Sequence, residues 1–149
     1  MKLSHWSWEK DLRPRSIVQG EDRCGSKPSG FWVSVDGPDD WEEFCTREEF
    51  RGLDEQYRYS VTLSDNANIL YLRTPNALLS FTEKFDSSEK WLRNSGIDWP
   101  RVASKYQGII IAPYQWSLRL DGPHWYYTWD VASGCFWDSS AINTIERLT

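Results

Sequence analysis

Hydrophobic and polar positions alternate in several short runs along the chain. Leu3-Ser4-His5-Trp6-Ser7-Trp8 puts Leu3, His5 and Ser7 on one face and Ser4, Trp6 and Trp8 on the other, the period of a strand. Gly30 to Val35 reads as a second strand, closed by the turn residues Asp36-Gly37-Pro38. Tyr57 to Leu63 alternates likewise, and Asn68 to Arg73 follows as the next strand. Gly108-Ile109-Ile110-Ile111-Ala112 has no polar face, which predicts a strand covered on both sides. Trp125 to Asp130 and Gly134 to Asp138 read as two more strands, and residues 141–148 as an edge strand.

Helical spacing separates these runs. Asp39 or Asp40 can cap a helix running to about Arg51, with Trp41, Phe44 and Cys45 on one face and Gly52 as its stop. Its other face, with Glu42, Glu43, Glu48 and Glu49, is expected to meet solvent. Thr74-Pro75 opens a second helix, with Leu78, Phe81 and Phe85 along one stripe. Trp91 and Leu92 fall in a further helical piece. Asp98 caps a short helix with Pro100 in its first turn, Val102 and Tyr106 one turn apart, and Gly108 as its end. Residues 9–30, broken by Pro14, Gly20, Gly25, Pro28 and Gly30, form a long loop with room for one helical turn. No repeat or linker divides the chain. The pattern predicts one α+β domain of short, mostly antiparallel strands with about three short helices.

Composition changes this picture in one respect. The 149 residues contain ten Trp, seven Tyr and six Phe, and Trp alone outnumbers the nine Gly. Each buried indole needs space and a partner for its N–H, so an excess of this size predicts that some line a pocket or a binding face. Trp91, Trp99, Trp116 and Trp125 are expected in the core or at an interface, and residues 113–129 are aromatic enough to form one.

Charge and cysteine usage narrow the classes of function. Seventeen Lys and Arg against 22 Asp and Glu give a net charge of −5, the wrong sign for gripping nucleic-acid phosphates. No apolar run approaches the ~20 residues of a membrane span, and the N-terminus lacks the apolar segment of a secretory signal. Cys24, Cys45 and Cys135 are odd in number and form no C-x-x-C pair, which fits a reducing cytoplasm better than a disulfide framework. With only His5 and His124, a histidine-rich metal site is not expected.

The familiar nucleophile, phosphate-loop and zinc-protease motifs do not occur. Cys135 with His124 could in principle pair as thiolate and base, but a buried structural cysteine is the better reading. Three other units stand out. They are His5-Trp6-Ser7 in the first strand, Gly30-Phe31-Trp32-Val33-Ser34 with Trp41 at the following helix start, and the run from Lys105 to Ile111 that feeds the apolar strand.

In this order the units resemble the ADP-ribosyltransferase fold of the diphtheria-toxin-like class, over most of the chain. The resemblance implies a split two-sheet arrangement, NAD as substrate or ligand, and no metal. It implies that His5 bonds a ribose hydroxyl, while Trp6 (through its backbone) and Ser7 (through its hydroxyl) hold the nicotinamide amide. Trp32, in the strand that also carries Ser34, and Trp41 would wall the nicotinamide slot, with Phe44 the alternative to Trp41. An electron-poor flat ring sits well between two electron-rich indole faces. Arg13, Arg15, Arg23 and Lys27 in the 9–30 loop are candidates for the pyrophosphate.

One family element is missing. The late-strand Glu, aligned on Asp138, falls at Ser133, and no Glu occurs between Glu89 and Glu146. Asp130 is the nearest carboxylate. The resemblance therefore implies one of two activities. One is transfer of ADP-ribose from NAD to a macromolecule or water, with His5 and Asp130 as the catalytic pair. The other is a catalytically inactive binder that sequesters an ADP-ribose-type nucleotide or holds a protein partner in its aromatic cleft. A compact single domain of this kind is similar in plan to phage or bacterial effectors, toxins and anti-defence factors.

Overall fold

A computed structural model describes residues 1–20, 27–87 and 96–149. The helical piece expected around Trp91 and Leu92, and the loop cation Arg23, lie outside the described residues. Leu3–Ser7 (β1), Phe31–Val35 (β2), Tyr57–Leu63 (β3), Ile69–Leu72 (β4), Gly108–Ile111 (β5), Ser133–Phe136 (β6) and Ile142–Arg147 (β7) form the strands. Trp41–Arg47 (α1), Pro75–Phe85 (α2) and Trp99–Ala103 (α3) are the helices, so the mixed α+β class is as expected.

The seven strands hydrogen-bond into one curled sheet in the order β4-β5-β6-β2-β1-β3-β7. The expected division into two sheets is therefore replaced by a single one. Its middle is its weakest seam. β1 follows β3 along its whole length, from Leu3↔Val61 to Ser7↔Tyr57, and β2 follows β6 from Phe31↔Phe136 to Ser34↔Ser133. Between β1 and β2 only Leu3↔Val35 and Ser4↔Ser34 pair. Beyond Ser4 the two strands part, each continuing along its other neighbour.

Neighbouring strands are antiparallel except β4 and β5, whose parallel register runs from Ile69↔Gly108 to Leu72↔Ile111. A parallel pair needs a crossover, and the segment carrying α2 and α3 supplies it. β5 is buried at every position, as its apolar run predicts. α2 opens on Thr74, whose hydroxyl accepts from the Ala77 N–H, and it buries Leu78, Phe81 and Phe85. α3 opens on Asp98 and buries Trp99 and Val102. Gly134 lies in β6 between β5 and β2, where a Cβ would stand 2.8 Å from the Ile109 carbonyl oxygen and 2.7 Å from Ile110 Cγ1. A larger residue would force these strands apart.

Three elements differ from the sequence reading. α3 ends at Ala103 and not at Gly108, which opens β5. α1 stops at Arg47 instead of running to about Arg51. Glu49 takes a left-handed conformation (φ 50°), and the Phe50 N–H returns to the Cys45 carbonyl, a Schellman-type end that folds Phe50 back onto Trp41. Residues 124–128 form a 3₁₀ helix, not a strand. Here Trp125, Tyr126 and Trp129 are buried while Tyr127 and Thr128 are exposed, a helical spacing that an alternating strand cannot present. Pro123 opens this turn, with Tyr126 N–H donating to the Pro123 carbonyl.

Candidate functional site

The parting of β1 and β2 opens a cleft of about 340 Å³. This lies at the lower end of the range of about 300–1,000 Å³ usual for small-molecule sites. His5, Trp6, Trp32, Ser34, Trp41 and Asp130 all line it, though they come from four separated segments of the chain. The geometry of each follows from local chemistry.

His5 stands just past the last β1–β2 pair. Its Nδ1–H donates to the Trp32 carbonyl at 2.6 Å, bridging the gap where the ladder has ended. That bond puts the neutral ring's acceptor lone pair on Nε2. The ring stacks on Phe31 with centroids 4.2 Å apart. Burial pulls the imidazole below its ordinary pKa, against the opposing pull of the Trp32 carbonyl and Glu9, so His5 favours the neutral form.

Trp6 is gripped from behind by Arg58, whose guanidinium carbon lies 5.1 Å from the ring centre. Arg58 is held in turn by the Ser4 hydroxyl and by Asp36 at 3.2 Å. Trp32 meets the edge of Trp129 at 4.9 Å, and Lys27 lies over its ring at 5.7 Å. Trp41 belongs to a separate cluster, stacked on Phe44 at 5.5 Å and edge-on to Phe50.

α1 carries Trp41 at its first residue, and two devices fix that end. Asp40 caps the helix by accepting the Glu43 N–H at 2.9 Å. Ser34 accepts the Trp41 N–H at 2.9 Å. Ser34 therefore places the second indole wall from β2. The far wall is the segment Trp129 to Ser133, tied down where Ala132 donates to the Asp39 carbonyl and accepts from the Val35 N–H.

Asp130 lies on this wall at the cleft edge, following the 3₁₀ turn and not the strand expected for it. It pairs with Arg119 at 3.3 Å, and Arg119 also donates to the Tyr114 hydroxyl at 2.7 Å. Ser133, where the family pattern would put its Glu, lines the cleft too, and its hydroxyl donates to the Val131 carbonyl.

Three expected site residues are placed elsewhere. Ser7 does not line the cleft, and its hydroxyl accepts the Glu9 N–H instead, because β1 ends there and the chain turns away. Arg13 and Arg15 are exposed on the following loop, outside the cleft lining. Among the described residues, the cations that do line it are Lys27 and Arg51. With Asp130 engaged by Arg119, the described lining residues carry positive charge within a chain of net charge −5.

Sequence reasoning missed Arg51, Gln56 and Trp129 as cleft residues. The Trp125-Tyr126-Trp129 spacing could have placed Trp129; nothing in the local sequence marks Gln56. Cys135 is fully buried in β6 and its thiol pKa is pushed up by burial, while His124 is exposed, so they form no nucleophile–base pair. Among the described residues no group of three His, Cys, Asp or Glu could hold a metal ion, and no helix is long and apolar enough to cross a membrane.

Compared with known proteins, the chain matches no family model, no curated protein and no solved structure.

Proposed function

We propose that this chain is an ADP-ribosyltransferase-like protein whose cleft binds NAD or a related ADP-ribose nucleotide. The observation that carries the reading is the His5–Trp32 bond. It leaves the neutral ring's acceptor on Nε2, and His5 lines a cleft that four indoles, Trp6, Trp32, Trp41 and Trp129, also line. A ribose hydroxyl can donate to Nε2, and a flat ring can lie against Trp32 and Trp41. Lys27 and Arg51 supply positive charge for the diphosphate. When bound, NAD would bring a glycosidic bond with neutral nicotinamide as its leaving group.

The charge arrangement favours holding the nucleotide over cleaving it. Asp130 is the one carboxylate among the described cleft-lining residues, and its ion pair with Arg119 competes for the lone pairs a base would use. Calorimetric titration with NAD and with ADP-ribose tests the proposal. Both should bind, and His5→Ala should weaken both by roughly tenfold or more, as expected for a lost hydrogen bond to a partly buried group. Failure of the wild-type chain to bind either nucleotide overturns it.

A second reading, slow transfer, is favoured by the position of Asp130 on the same cleft. Breaking the ribose–nicotinamide bond would release neutral nicotinamide, while the acceptor oxygen forms the new bond and gives its proton to Asp130. Nicotinamide release that disappears in Asp130→Asn supports transfer. No release from NAD by the wild-type chain leaves binding alone.

A further inference from the structure

Asp130 also lines a second concavity, a groove of about 620 Å³ bounded by α1 and the 3₁₀ turn Trp116–Leu118. Phe44, Phe50 and Trp116 wall it, with Arg47, Glu48 and Arg119 around them. Two of these rings face solvent: Phe50 is 55% exposed and Trp116 51%. Both are nonetheless held in place. The Schellman-type end of α1 folds Phe50 back, edge-on to Trp41 at 5.8 Å and to Phe44 at 6.0 Å. Trp116 packs edge-on to Tyr114 at 4.8 Å, and its indole N–H donates to Asp39 at 3.0 Å. Large rings that are fixed and still open to water suit a protein interface, because their ordering cost is met before a partner arrives.

Charge decides what kind of partner fits. Residues 36–55, which carry α1, hold nine Asp and Glu against Arg47 and Arg51, a net charge of −7. With −5 for the whole, the rest of the chain sums to +2, so the acidity is concentrated in this segment. The two arginines of the groove are already met. Arg47 lies between Glu43 at 3.9 Å and Glu48 at 3.2 Å, and Arg119 is engaged by Asp130 at 3.3 Å. Glu43 and Glu48 together exceed the charge of Arg47, and Asp39 makes no ion pair among the described residues. The rings point the same way. Arg47 lies over Phe44 at 5.9 Å and Arg51 over Phe50 at 5.2 Å, while among the described residues no cation covers Trp116. An open indole face beside surplus carboxylates is a seat for a lysine or arginine.

We infer that this groove docks another protein through a basic segment, whose Lys or Arg stacks on Trp116 while neighbouring apolar groups rest against Phe44 and Phe50. The inference stands apart from the nucleotide reading, since Asp130 is the one described residue that lines both groove and cleft. The test selects ligands for the immobilised full chain from a random-peptide library displayed on phage, a probe that offers every charge and side chain. Retained peptides should be rich in Lys and Arg and carry an apolar residue. A labelled synthetic copy of one should bind with an affinity that falls steeply as salt rises. Trp116→Ala, and Glu43→Gln combined with Glu48→Gln, should each weaken that binding roughly tenfold or more. Glu83→Gln, on α2 outside the groove lining, should leave it unchanged. These side chains are exposed, so the variants should melt with the wild type. Should Trp116→Ala melt earlier, the Glu43 and Glu48 variant decides alone.

Enrichment of acidic or neutral peptides overturns the inference, as does recovery of no peptide. So does binding that survives the groove variants, which would place the basic peptide elsewhere on an acidic chain. Light scattering on the chain alone covers the remaining occupant. A dimer that Trp116→Ala dissolves would overturn the inference in favour of a second copy seated in the groove.

Discussion

His5 couples the stability of the sheet seam to pH. Its folded-state pKa lies below the ordinary value of 6.5, chiefly through burial, so the unfolded chain takes up the proton first on acidification. Its contribution to stability is therefore complete above pH 6.5 and declines as pH falls from there through the lowered folded value. Ligand binding should follow the same direction. A protonated ring has donors on both nitrogens and can no longer accept from a ribose hydroxyl. Urea unfolding and nucleotide titration between pH 7.5 and about 5 should both show this decline. In His5→Gln the part of the slope due to this residue should vanish. An unchanged slope in that variant would mean that some other group titrates.

At the scale of elements, α1 shows how a seven-residue helix can hold a functional side chain. A helix so short has little stability of its own and depends on its ends and its packing. Asp40 and Ser34 bond its first turn, and the Schellman-type end at Glu49 brings Phe50 against Trp41. Asp40→Ala should cost about 1 kcal/mol of stability, read from urea unfolding. It should also weaken any ligand that rests on Trp41, an effect a remote cap such as Thr74→Ala should not have. The elements most legible in the sequence were those whose pattern had a single reading. Tyr57 to Leu63 alternates cleanly and forms β3 with those ends, and Thr74-Pro75 opens α2 as capping chemistry requires. Residues 124–128 misled because a run of aromatics looks apolar on every face, so its period is visible only once exposed Tyr127 is distinguished from buried Trp125 and Tyr126. The site was legible where motifs lay on regular elements, as with His5 and Trp32 on strands and Trp41 at a capped helix start. It was not where loops decided: Arg13 and Arg15 lead away from the cleft, and Gln56 enters it through the register between β1 and β3.

Across the whole molecule, the tryptophan excess resolves into a core and a cleft that share a wall. Trp99 and Trp125 are almost wholly buried, edge-on to each other at 6.2 Å, and Trp125 donates to the Thr82 hydroxyl at 3.0 Å. Trp137 is also buried and donates to the Tyr106 carbonyl. Trp116, expected in the core or at an interface, is half exposed on the surface, its indole N–H held by Asp39. Trp129 joins the two regions. It packs edge-on to Trp125 at 6.0 Å on one side and to Trp32 at 4.9 Å on the other, and it lines the cleft while being 1% exposed. The cleft wall is thus continuous with the hydrophobic core, so its shape is set by close packing and not by loop conformation. This separates two substitutions of identical chemistry. Trp125→Phe and Trp129→Phe should each destabilise the fold by roughly 1–3 kcal/mol through lost packing and polar contacts. Against a total of about 5–15 kcal/mol, either variant should remain folded at room temperature. Only Trp129→Phe should alter nucleotide affinity, because it removes the edge that seats Trp32. Unfolding curves and calorimetric titrations on the pair measure this directly, and an equal loss of affinity in Trp125→Phe would mean that the core and the cleft are not separable at Trp129.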